Sequence, residues 1–112
     1  MKAAPKLEED VEAYLVKRVK AVGGMTRKVK WPGVEGAPDR VVMLPGVRSQ
    51  TFEHYRPDRT IWVELKRPGG KAKFPSNPHE RKQDREHERM RAAGQRIEVI
   101  DSFEGVDELL EG

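Results

Sequence analysis

Three side chains in two short stretches are of types that could do chemistry together. Asp39 stands in Gly36-Ala37-Pro38-Asp39-Arg40, and Glu64 and Lys66 stand in Thr60-Ile61-Trp62-Val63-Glu64-Leu65-Lys66. The second stretch alternates as a strand does, so Glu64 and Lys66 project from one face while Ile61, Val63 and Leu65 point to the other. Two carboxylates on neighbouring strands suit Mg2+ or Mn2+, which take oxygen ligands, and the backbone carbonyl of Val63 or Leu65 could add a third oxygen. A cation held there lowers the pKa of a bound water and neutralises charge on a phosphodiester. The Lys66 ammonium then orients that water or stabilises the transition state as a point charge. The same residues also suit a plainer reading, a solvated strand face and a Pro-Asp turn.

The elements that must position these groups follow from periodicity. Leu7, Val11, Leu15, Val19 and Val22 make one apolar stripe on a helix over Lys6–Val22, stopped by Gly23-Gly24. Glu8, Glu9 and Asp10 complement the start of that helix. Glu12 stands at the border of the stripe, where it can reach around the core edge toward a sheet. Met25–Trp31 alternates as a short strand. A Pro/Gly loop leads to a strand over Asp39–Leu44, with Asp39 at its mouth. The polar Val47–Arg59 connection reads as a long hairpin link; Arg48, His54, Tyr55, Arg56 and Arg59 are also of types that contact nucleic acid. A helix from Pro78 or His79 to Ala93 has little apolar content, so most of it faces water or a partner. Gln83, His87, Met90 and Gly94 lie near one stripe of it. Arg96–Ile100 is a strand and Ser102–Leu110 a short helix. The order predicts an α/β fold, αβββαβ with a small C-terminal helix and a mixed sheet flanked by helices.

Composition narrows the function. The chain of 112 residues, 36% hydrophobic and 37% charged, suits one domain over 1–112 with a modest core. It has no cysteine, which excludes a disulfide scaffold, a thiol nucleophile and cysteine-liganded zinc. No apolar run spans a bilayer, and Met1-Lys2-Ala3-Ala4-Pro5 is unlike a signal peptide, so a cytoplasmic location is expected and no membrane partner. The net charge of +3 is unevenly spread: six basic and no acidic residues over Lys17–Lys30, ten basic and four acidic over Lys66–Arg96. Such segments suit a polyanion, although a solvated surface is the commoner explanation of charge alone. Lys28, Lys30, Arg40, Arg67, Lys71, Lys73, Arg81 and Lys82 are the expected nucleic-acid contacts. His54, His79 and His87 lack ligand spacing to one another, and no Ser/His/Asp set or phosphate-cradling glycine loop is present.

Asp39 after Pro38, then Glu64-Leu65-Lys66, resembles the PD-(D/E)xK nucleases. Over nearly the whole chain the resemblance is to their VRR-NUC branch, the virus-type replication–repair nuclease domain. It rests on Val11-Glu12-Ala13-Tyr14-Leu15-Val16, Gly23-Gly24, Gly36-Ala37-Pro38-Asp39-Arg40, Val63-Glu64-Leu65-Lys66, Gln83, Met90-Arg91-Ala92-Ala93-Gly94 and the Ile97–Ile100 strand. The resemblance implies a restriction-endonuclease-like core. It implies Asp39 and Glu64 as metal ligands, aided by the Leu65 carbonyl, and Lys66 as the catalytic lysine. Glu12 becomes the first-helix acid that completes the site, through a metal-bound water. Gln83 becomes the glutamine that orients the lysine or the substrate. Short stand-alone members, many from phages, resemble Holliday-junction resolvases and often form homodimers. The expected activity is therefore Mg2+- or Mn2+-dependent, structure-specific DNA cleavage in a bacterial or phage-infected cell, with four-way junctions as substrate. The alternatives are a nuclease acting on flaps or nicked duplex, or a nucleic-acid-binding module that does not cleave. The Val47–Arg59 connection and the Lys71–His79 stretch are longer than the family pattern.

Overall fold

A helix whose apolar residues recur every three to four positions has to cover something, and here it covers the sheet that carries the site. The computed structural model describes residues 4–47 and 55–111; Arg48 and His54 fall outside them. The elements run α1 (Glu8–Ala21), β1 (Met25–Lys28), β2 (Arg40–Leu44), β3 (Arg59–Leu65), a 3-10 turn (Lys71–Lys73), α2 (Pro78–Ala92), β4 (Ile97–Ile100) and α3 (Phe103–Glu111). Among the described residues no helix is long and apolar enough to cross a membrane.

The four strands form one sheet in the order β1-β2-β3-β4. β1 pairs β2 and β2 pairs β3 antiparallel, while β4 joins β3 in parallel after the α2 crossover, which makes the sheet mixed as expected. β1 is shorter than its alternation predicts, ending at Lys28 rather than Trp31. The chain leaves the sheet there, and the Trp31 indole donates to the Pro38 carbonyl at 2.8 Å and packs on Trp62.

Val11, Leu15 and Val19 of α1 join Val42, Leu44, Ile61, Val63, Leu65 and Ile100 of the sheet, with Val106 and Leu109 of α3, in one buried cluster. Leu7 and Val22, the ends of the expected stripe, are about half exposed because the helix contributes only its middle to that cluster. Asp10 turns back to accept from the amides of Lys6 and Leu7 at 2.9 Å each, fastening the start of α1. Tyr14 and Arg18 both reach Asp107, tying α1 to α3.

The opposite face of the sheet receives α2. Asn77 caps that helix, its side chain accepting from the Glu80 amide at 2.8 Å, and Gly94 ends the segment in the left-handed conformation (φ 90). The buried residues of α2 are Gln83 and His87, so its inward stripe is polar. The loop before Asp39 crosses close beneath it. A Cβ on Gly36 (φ 87) would lie 2.7 Å from the Lys82 carbonyl oxygen, so only glycine allows this approach. In the link between β2 and β3, Val47 and Arg56 form an antiparallel bridge, the pairing of a hairpin arm.

Candidate active site

β3 is hydrogen-bonded on both sides and presents Glu64 and Lys66 where it leaves the sheet. The β2–β3 register ends at Arg40↔Val63. Asp39 and Glu64 are the next residues on the two strands, just beyond that last pair. Pro38, buried and without an N–H, begins the stretch, and the Asp39 carbonyl accepts from Val29 at 2.8 Å. Asp39 is thus held by its backbone to Val29 and follows the buried Pro38, while its side chain is exposed.

Glu64 and Lys66 are not a solvated face. Glu64 is 7% exposed and its Oε1 lies 3.1 Å from Nε2 of His87, which is fully buried. With its hydrogen on Nε2 the imidazole donates to Glu64, and Nδ1 is left as a lone pair without a partner. Lys66 donates to Gln83 Oε1 at 2.6 Å, is paired with Glu80 Oε2 at 3.0 Å, and stands 5.0 Å from the centre of the Phe74 ring. The expected partnership of Gln83 with the lysine is therefore a direct contact. Glu80 joins it, with its carboxyl held down from 4.5 to about 2 by Lys66 first and by the Ser76 amide and hydroxyl next.

On the other side of Asp39 lies an open cavity of about 420 Å³ lined by Leu7, Glu8, Glu9, Glu12, Lys28, Asp39 and Leu65. Burial pushes the Glu8 carboxyl up. Glu64, Asp39 and Glu12 push it the same way, and Lys66 opposes them. Glu8 thus feels Glu64, Asp39 and Glu12 across the end of the sheet. Among the described residues no three of them are already drawn together as a metal-ligand group.

Glu12 reaches around the core edge as its border position predicts, but it meets arginine there. Its Oε2 is 3.1 Å from Arg40 and 3.8 Å from Lys28. Arg40, expected among the nucleic-acid contacts, is only 7% exposed, since residue 40 points to the α1 face and its guanidinium is taken up by Glu12 and the Thr26 hydroxyl. Lys28 is exposed, as are Lys30, Arg67, Lys71, Lys73, Arg81 and Lys82, and Lys82 pairs with Glu35 at 2.9 Å.

No family model matches the chain. A protein named "Putative nuclease p44", from Acyrthosiphon pisum secondary endosymbiont phage 1, is 37% identical over 95 residues, which is 85% of this chain and 83% of that one. A solved structure named "VRR_NUC domain" matches with a TM-score of 0.66 at 34% identity, over 96% of this chain and 97% of the other. The chain belongs to the VRR-NUC family.

The VRR-NUC fold accounts for the mixed sheet between α1 and α2 and for the restriction-endonuclease-like element order. Three residues of this VRR-NUC domain touch or face the site without having been singled out from the sequence for it: His87, Glu80 and Glu8. His87 shares a helical stripe with Gln83, four positions on, and that spacing is the signal that could have found it. Glu80 is three positions before Gln83 on the same side. Glu8 is one turn before Glu12.

Proposed function

We propose that this VRR-NUC domain is a divalent-metal-dependent endonuclease that hydrolyses phosphodiester bonds in branched DNA. The observation that supports the reading is that β2 and β3 are paired up to Arg40↔Val63, with Asp39 and Glu64 the next residues beyond that pair and Lys66 one pleat further on. The donor set fits a hard cation in kind: carboxylate oxygens and the Leu65 carbonyl, with no thiolate in the chain. Burial first, and Glu64, Asp39 and Glu12 after it, push the Glu8 carboxyl up against the pull of Lys66, so Glu8 lies within reach of the same charges. Asp39, Glu64 and the Leu65 carbonyl would hold Mg2+ or Mn2+, with Glu12 contributing through water. When bound, the cation supplies Lewis acidity and a water of lowered pKa.

The residues of the chain do the rest. Lys66 brings a positive charge to the scissile phosphate. Gln83 orients that ammonium. His87 keeps Glu64 pointed from behind. Lys28, Lys30, Arg67, Lys71, Lys73, Arg81 and Lys82 give the phosphate backbone its counter-charge, and Arg40 acts through Glu12. The reading takes 1–112 as one nuclease domain acting in the cytoplasm of a bacterial or phage-infected cell. Cutting a four-way junction symmetrically requires two sites related by a twofold axis, hence a homodimer.

One cleavage panel tests this: four-way junctions, flaps, nicked and intact duplex and single strands, each with Mg2+, Mn2+ or excess chelator. Divalent-dependent cutting of junctions, lost in Lys66→Ala with binding intact, is the expected result. Cutting that persists in chelator sinks the metal assignment. Preference for flaps, together with a strictly monomeric mass by light scattering, replaces the junction reading with flap cleavage.

A further inference from the structure

Lysine has a long, flexible stem, and an ammonium on it is useful in catalysis only if something holds it in place. Gln83 is one such holder in this domain. Glu80 is in contact with the same atom from the first turn of α2. An acidic residue there ordinarily serves the helix terminus, by capping or by the macrodipole. Glu80 does part of that with one oxygen: Oε1 accepts from the Ser76 amide at 2.9 Å and from the Ser76 hydroxyl at 2.8 Å. The other oxygen, Oε2, is turned to the Lys66 ammonium at 3.0 Å. The carboxylate thereby spans from the loop before α2 to the end of β3. Both partners are largely withdrawn from water, with side-chain exposures of 12% for Lys66 and 13% for Glu80, so the pair is not an ordinary surface contact.

The geometry points to Glu80 as a positioning residue: a carboxylate that, braced by Ser76, clips the Lys66 ammonium beside Gln83 and presents it to the scissile phosphate. The inference rests on reading Lys66 as the catalytic ammonium. The two contacts act at different angles. Gln83 supplies a neutral acceptor, and Glu80 supplies the charge that keeps the ammonium from swinging into the carboxylate-lined cavity around Asp39 and Glu8. A neutral residue at position 80 would leave the helix cap in place and release the lysine.

The test reads Lys66 directly, without substrate or metal. A short acetylation pulse on the full chain, mapped by mass spectrometry, compares Lys66 with the exposed Lys71 and Lys73. In the wild type Lys66 reacts roughly tenfold more slowly than those two, as expected for an amine held by charge-assisted bonds. In Glu80→Gln most of that protection is lost while the far-UV circular dichroism stays that of the folded wild type. In cleavage assays the same variant loses about 10- to 100-fold in kcat with KM nearly unchanged, the signature of a misplaced group. Glu80→Asp, which keeps the charge on a shorter stem, recovers part of the rate. If Glu80→Gln folds poorly, Ser76→Ala loosens the same carboxylate without altering any charge and gives a smaller change in the same direction. Protection of Lys66 that is equal in wild type and variants overturns the clip, as does lost protection with an unchanged kcat. Wild-type protein that shows the protection contrast yet cuts no nucleic acid overturns the nuclease reading, and the catalytic part of this inference with it.

Discussion

Nε2 of His87 lies 3.1 Å from Oε1 of Glu64, between side chains that are 0% and 10% exposed. A carboxylate so placed needs its partner, because a buried charge left without a hydrogen bond costs more than the bond itself contributes. His87→Ala is therefore expected to lower stability by about 3 kcal/mol, from the stranded carboxylate and the cavity together. Glu64→Gln keeps an acceptor for Nε2 and should cost less than about 1 kcal/mol. Urea unfolding of both variants checks the order; equal midpoints would show that Glu64 is satisfied elsewhere.

Asp39→Asn and Lys66→Ala are each expected to slow cleavage by about 100- to 1,000-fold or more, the scale for removing one preorganised charge from a reacting phosphate or carbonyl. Binding of a four-way junction in Ca2+, followed by fluorescence anisotropy, should change little in Lys66→Ala. In the wild type, Mg2+ or Mn2+ at a hundred times its dissociation constant should add about 2.7 kcal/mol by linkage. That stabilisation should vanish in Asp39→Asn. A divalent-induced melting shift of equal size in both proteins would place the cation away from Asp39.

Glu12 is committed to Arg40, whose own side chain has little other outlet: it is 7% exposed and its Nε lacks a partner. Glu12→Ala should thus destabilise the domain by about 2 kcal/mol, as an arginine loses its carboxylate. Its effect on cleavage should be separable from that on folding. A second change, Arg40→Met, should restore much of the stability without restoring the rate. Full recovery of both would make Glu12 a structural residue only.

Acid should loosen the Glu80–Lys66 contact. A carboxyl whose folded pKa is depressed stabilises the protein above its unfolded value and loses that contribution as pH falls through the folded one. For Glu80 the window runs from 4.5 down to about 2. Wild type and Glu80→Gln should therefore differ in melting temperature at pH 6 and converge toward pH 2. A gap that stays constant over that range would deny the ion pair a role in acid stability.

Much of this was legible because strands and amphipathic helices carry their own periodicity. The alternation through Ile61, Val63 and Leu65 gave the core face, and it put Glu64 and Lys66 on the other. The hairpin reading then put the strand that follows Asp39 beside β3. What the sequence concealed lies in α2. A helix with so few apolar residues reads as solvated, yet Gln83 and His87 are buried. Their partners are polar groups on β3, more than fifteen positions away, and periodicity in one element says nothing of that. Comparing histidines with one another could not reveal that His87 belongs to Glu64. Arg40 looked like a phosphate contact because basic residues usually face outward; its strand register turned it inward instead. Glu8 had a sufficient local explanation at the helix start, which hid its place in the carboxylate group.

The polar inward stripe of α2 has a further consequence. Most helices adhere to a sheet through leucines and valines, and their active-site residues can be exchanged with little effect on that adhesion. Here Glu80, Gln83 and His87, which fasten α2 to the end of β3, also hold Glu64 and Lys66, the groups proposed to react. Loss of Glu64 or Lys66 weakens the seat of a whole helix, and slackening of that helix disarms the site. Amide hydrogen exchange along Pro78–Ala92 then becomes a gauge of whether the proposed site is assembled.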